Sequence, residues 1–198
     1  MSLPYYLSVF QPDKFGSKTF AMRQSALLLL MVLFCLSGYS QKDGEQAIGQ
    51  RTEKERAIES QIDAFLNSWN RHDFSDMKNY IAEDCDFVNI TGMHWKGREN
   101  IQYAHQTYHD DFFKATPMEK RSVRIRFLKP DVAIVHMVWH IGEFIAPDGK
   151  KWGGNDDLAT IVFVQREGRW MITALENVQI VAEVQQFDPV KIRAKSTE

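Results

Sequence analysis

The stretch Val132 to Ile141 constrains this chain most. Its ten residues, VAIVHMVWHI, are apolar at nearly every position, as expected of a strand covered on both faces. Successive side chains on a strand point to opposite sides. One side carries Ala133, Val135, Met137, Trp139 and Ile141; the other carries Val132, Ile134, His136, Val138 and His140. The wholly apolar set suits the interior and the set with two histidines an outer face. The reverse, with both histidines in a polar pocket, stays open.

The flanking segments supply the partners of that strand. Ile58, Ile62, Phe65, Leu66 and Trp69 recur at spacings of three and four, one apolar stripe on a helix over about 52–70. A short second helix places Phe74, Met77, Tyr80 and Ile81 inward. Glu83 to Ile90 alternates as a strand, Thr91-Gly92 turns the chain, and Met93 to Lys96 returns. Gly97 opens a third helix whose inward stripe is Ile101, Ala104, His105, Tyr108 and Phe112. Strands then follow at Ser122–Leu128, Val132–Ile141, Leu158–Gln165 and Trp170–Ile180, the last two joined by the glycine-containing turn 166–169. Helices first and a strand meander after predict an α+β layer fold: a strongly curved, mostly antiparallel sheet packed against about three N-terminal helices. A sheet bent around the first and third helices would leave an apolar funnel. Helices are available for only one face of that sheet, which predicts a homodimer through the other.

The first 40 residues belong to something else. Ala26 to Leu36 is an unbroken apolar run, preceded by Met22-Arg23 and followed by Ser37-Gly38-Tyr39-Ser40. Eleven residues span roughly 16 Å as helix, about half a bilayer core. A secretory signal starting at Met22 is therefore expected, with residues 1–21 an upstream extension and no stable membrane anchor after processing. Export to the periplasm or exterior follows. The predicted organisation is 1–40 extension and signal, 41–52 flexible lead-in, 53–183 the domain, and 184–198 a polar tail.

Losing residues 1–40 removes Lys14, Lys18, Arg23 and Asp13 and takes the net charge from −2 to −4. A mildly acidic domain lacks the electrostatic footprint of a nucleic-acid binder. Only Cys85 would remain, so no internal disulfide can form.

Five segments together resemble a known family: Phe65-Leu66-Asn67-Ser68-Trp69-Asn70-Arg71-His72-Asp73; Asp84-Cys85-Asp86-Phe87-Val88; Trp95-Lys96-Gly97-Arg98-Glu99-Asn100-Ile101 running into His105; Asp131-Val132-Ala133-Ile134-Val135-His136; and Arg166-Glu167-Gly168-Arg169-Trp170-Met171-Ile172. In this order they resemble the SnoaL-like (SgcJ/EcaC) group of the nuclear transport factor 2-like superfamily, over about residues 53–180. The resemblance implies a cone-shaped roll, commonly dimeric through the outer sheet face. Its members include polyketide cyclases, a ketosteroid isomerase, dehydratases and non-enzymatic pocket domains, so fold does not fix function. Relatives often carry His-Asn-Thr on the last strand. Here Glu176-Asn177-Val178 stands instead, which keeps Asn177 and puts any mechanism using that histidine in doubt.

His105 is the candidate catalytic or ligand-contacting residue, because its stripe faces the cone. The ordinary alternative is a core histidine bonded to a backbone carbonyl or carboxylate. Trp69, Phe87, Trp95, Tyr108, Trp139 and Asn177 are candidate ligand contacts, although core aromatics usually only pack. His105 and His109 stand four apart on a helix, a spacing that can chelate a metal. His136 and His140 stand about 13 Å apart along a strand, too far to share one ion. His109 falls at the stripe's edge, where solvent reaches it. No metal and no cofactor is expected. Asp156 and Asp157 follow Trp152-Gly153-Gly154-Asn155 at a strand entrance. They read as solvated turn carboxylates, or one as a general base at the cone mouth.

Three functions fit: a pocket domain binding a small, mostly apolar ligand; a cofactor-independent isomerase, cyclase or dehydratase working by acid–base chemistry; and a structural or partner-binding dimer domain. The lack of a matched acid–base pair favours the first.

Overall fold

The computed structural model describes residues 52–195. The extension, the signal and nearly all of the lead-in lie outside the described residues. Helix α1 covers 52–71. A 3₁₀ turn, Met77–Asn79, leads into β1 (Ile81–Val88), β2 (His94–Lys96) and α2 (Arg98–Asp110). Then come β3 (Met118–Lys129), β4 (Val132–Ile141), the two-stranded flap β5 (Phe144–Ile145) and β6 (Lys151–Trp152), β7 (Asn155–Arg166) and β8 (Arg169–Gln179). Two short helices, α3 (Ala182–Gln185) and α4 (Pro189–Lys195), end the described chain. The described part of the expected polar tail thus holds the end of α3 and all of α4, and its Val184, Phe187, Val190 and Ile192 are exposed.

The main sheet runs β2-β1-β8-β7-β4-β3 and is curved but not closed. Every pairing is antiparallel except β1 with β8. Register shifts leave Arg121 of β3 unpaired opposite Trp139 and Val138, and Thr173 of β8 unpaired opposite Val162 and Phe163. An extra residue on one strand bends it and strengthens its twist. The α+β class and the sheet-on-helices arrangement match the expectation from pattern.

The α1 stripe is buried throughout: Ile58, Ile62, Phe65, Leu66 and Trp69. Each such side chain stabilises the fold by about 1.5–3 kcal/mol on leaving water. The helix ends in a Schellman motif. Asp73 N donates to Ser68 O at 3.1 Å, His72 N donates to Trp69 O at 3.0 Å, and His72 takes φ 58°. Trp69 Nε1 donates to Thr116 O (2.8 Å), and the Asn70 side chain exchanges two 2.9 Å bonds with the Met118 backbone. The Trp-Asn pair therefore fixes where β3 begins, four residues before alternation alone places it.

On β4 the wholly apolar set is buried and the histidine set faces outward. His140 Nδ1 lies 2.8 Å from Asp156 Oδ1 on that outer face. Val132, Ile134 and Val138 there, with Leu158, Val162 and Val164 on β7, remain half-exposed. These residues form an apolar patch on the outer face, bordered by exposed His136, Thr160, Arg124 and Arg126.

Candidate functional site

The concave face of the sheet, α1 and α2 enclose a cavity of about 410 Å³. That size falls in the range of small-molecule sites. His105, Trp69, Phe87, Trp95, Tyr108, Trp139 and Asn177 all line it. Ile90, Met93 and Trp152 also line it and are 39–46% exposed, so the opening lies between the β1–β2 turn and the β5–β6 flap. The flap's base requires glycine. Gly153 takes φ 78°, and a Cβ there would collide with the Gly142 carbonyl.

His105 combines both readings offered by its position. Its Nδ1 lies 2.8 Å from Ile101 O. A carbonyl only accepts, so Nδ1 carries the proton and Nε2 is the lone-pair nitrogen. The ring meets Phe65, Trp69, Phe74, Phe87 and Trp95 at centroid distances of 4.9–6.4 Å. Burial among them pushes its pKa down to about 4, against a smaller opposing effect of the Ile101 bond. His105 is neutral at physiological pH. It is a fixed acceptor and a weak base.

His109 corrects the sequence reading. It is 2% exposed rather than solvated, because α2 packs deeper into the cone than the Ile101–Phe112 stripe implies. Its Nδ1 lies 2.8 Å from His72 Nδ1. Its ring stands edge-on to Trp69 at 4.4 Å. Burial, then the proximity of His105 and His72, pushes its pKa down to about 3. Gln106 ties the same junction, accepting from Phe74 N (3.2 Å) and donating to His72 O (3.1 Å). The Nδ1 atoms of His105 and His109 are thus occupied by protein partners. Two enclosed nitrogens, His109 Nε2 and Trp139 Nε1, have no hydrogen-bond partner among the described residues.

Asp157 is the residue that sequence reasoning undervalued. It is 2% exposed and lines the cavity, not a solvated turn. Asn155 Nδ2 donates to its Oδ1 at 2.7 Å. Burial, opposed by that bond and reinforced by Asp156, pushes its pKa up to about 6. The signal was present in the sequence. Asp157 continues the inward register of Ala159, Ile161 and Phe163, and extending the strand one residue back from Leu158 would have placed it inside. Phe113, Phe144 and Trp152 join the lining from turns and the flap, which periodicity does not address. Glu176 faces outward and is exposed.

Solved structures share this fold. A protein with a cystatin-like fold from Caulobacter vibrioides superposes with a TM-score of 0.67 at 28% identity, over 70% of this chain and 97% of its own. A cystatin-like domain from Nostoc punctiforme gives 0.57 at 26%, over 71% and 85%. A scytalone dehydratase-like protein from Novosphingobium aromaticivorans gives 0.52 at 16%, over 67% and 87%, a likeness of fold alone. No curated protein matches the chain. The SnoaL-like domain family matches residues 58–176, the segment from the first buried residue of α1 to the middle of β8, so the chain belongs to the SnoaL-like family.

Proposed function

We propose that this chain is an exported pocket domain that binds a small, mostly apolar ligand. The observation carrying the reading is the cavity itself: aromatic walls with a few fixed polar groups, open at one end. A cone filled by its own side chains would have favoured a purely structural role. Small-molecule sites combine apolar walls with few convergent polar atoms in this way. His105 Nε2 offers one such atom. His105→Phe keeps an aromatic ring and removes the acceptor. It should weaken binding of 2-naphthalenemethanol about fivefold, read by quenching of tryptophan fluorescence, since one net hydrogen bond is worth roughly 1 kcal/mol. Unchanged affinity in a folded variant would make His105 a packing residue only.

A second reading, turnover by acid–base chemistry, is favoured by Asp157, whose pKa near 6 suits a general base. His105 and His109, at about 4 and 3, are weaker bases than an ordinary histidine.

The assembly we propose is a homodimer through the outer face of β4 and β7, since an apolar surface across several strands is unusual on a monomer. Protein recovered from the exported fraction should start near Gln41 and sediment at about twice the monomer mass. A monomer, or a chain still carrying Tyr5, would contradict the corresponding half of this proposal.

A further inference from the structure

A buried carboxylate normally has a cation beside it, and Asp157 has none. Among the described residues no lysine or arginine stands within ion-pair distance of it, and its one side-chain hydrogen bond comes from the neutral amide of Asn155. His140, whose charge acts on Asp157 only as the smallest of its electrostatic influences, lies on the other face of the sheet and is engaged by Asp156. The cavity that Asp157 faces is lined by no lysine or arginine either. Its histidines are neutral, their ionisation suppressed by burial. Unpaired ionised groups are expensive to bury, so one that persists marks a place where the partner is supplied from outside.

We propose that the cavity binds an organic ammonium ion, a protonated amine or quaternary ammonium carried on an aromatic or aliphatic body, with its charge set against Asp157. The inference deepens the pocket reading above and rests on it. Trp139 is Asp157's direct neighbour across the β4–β7 pair, and both side chains point inward. Trp69 stands 6.4 Å from Trp139 by ring centroids, and Trp95 and Phe87 stack at 5.6 Å further along the lining. Aromatic faces attract a cation through their quadrupole, most strongly where water is excluded. A carboxylate beside an indole in an aromatic-lined cavity therefore favours a cation twice over. The same arrangement rejects anions, because a second negative charge would enter a low-dielectric space beside Asp157 with no cation to offset either. Asn155 holds Asp157 through one oxygen and leaves the other free for the incoming N–H or alkylammonium group.

The test compares three probes of one shape on the full mature chain at pH 7.5 by calorimetry: 2-(aminomethyl)naphthalene, 2-naphthalenemethanol and 2-naphthoate. The amine should bind at least tenfold more tightly than the alcohol, and the carboxylate most weakly. Asp157→Asn is isosteric and uncharged. It should erase the amine's advantage over the alcohol while leaving the alcohol's affinity within about twofold, and it should melt several degrees above the parent. An alcohol that binds as well as the amine, or an advantage that survives Asp157→Asn, overturns the inference and leaves the pocket reading standing. The comparison of probes on the parent chain decides the point even if the variant fails to fold. Absence of binding by all three overturns both.

Discussion

Trp69→Ala is expected to destabilise the domain by about 4 kcal/mol and to lower the melting temperature by roughly 10–15 °C. Trp69 is 5% exposed and sits where both helices, the sheet and the cavity meet. Its indole contacts His105, His109, Phe113 and Trp139. Truncation opens a void between α1 and α2 and also removes the donor to Thr116 O, a carbonyl on a residue only 2% exposed. Trp69→Phe separates the two effects. It restores most of the ring volume but leaves that carbonyl unpaired, which should cost about 1–2 kcal/mol. Differential scanning calorimetry of the three chains provides the check. A Trp69→Ala chain melting within about 3 °C of the parent would show that the cone does not depend on this residue.

Mild acid should destabilise the domain through its buried histidines. His105 has an ordinary value near 6.5 when unfolded and about 4 when folded. Between those values the unfolded chain binds a proton that the folded chain refuses, so stability is fully present above about pH 6.5 and falls as pH drops towards 4. A difference of that size corresponds to about 3 kcal/mol. His109 acts in the same direction and Asp157 in the opposite one. The folded carboxyl of Asp157, near 6, holds its proton more tightly than the unfolded one at 3.8 and gains stability as pH falls. The shifts of His109 and Asp157 have opposite signs in this pH range and largely offset each other. The net loss should then follow His105. Urea midpoints at pH 7.5, 5.5 and 4.5 should show stability falling by about 3 kcal/mol in the parent and far less in His105→Phe. Equal pH dependence in the two chains would assign the acid sensitivity elsewhere.

These two expectations come from residues that were legible in the sequence to different degrees. Trp69 and His105 lie on stripes of 3.6-residue period, and a helix buried on one side can place such residues only inward. The candidate contacts Phe87, Trp95, Tyr108, Trp139 and Asn177 likewise converge on the one cavity. His109 was misplaced. Residues at the margin of a stripe face either solvent or core according to how deeply the helix packs, and local spacing does not contain that depth. Asp157 was misread for a different reason. Its neighbourhood of glycines and polar residues looks like a turn, and only the hydrogen-bonded register with β4 shows that the strand already includes it.

The sequence by itself determined the element order, the inward face of each long element and the family, because periodicity and the five ordered motifs are properties of the chain alone. Tertiary structure decided what those faces enclose. The curved sheet and the two long helices leave a cavity between them rather than a filled core. The flap over its mouth depends on the close approach of Gly142 and Gly153. The ionisation of His105, His109 and Asp157 was likewise undetermined until the fold surrounded them, because desolvation depends on neighbours brought together from distant parts of the chain.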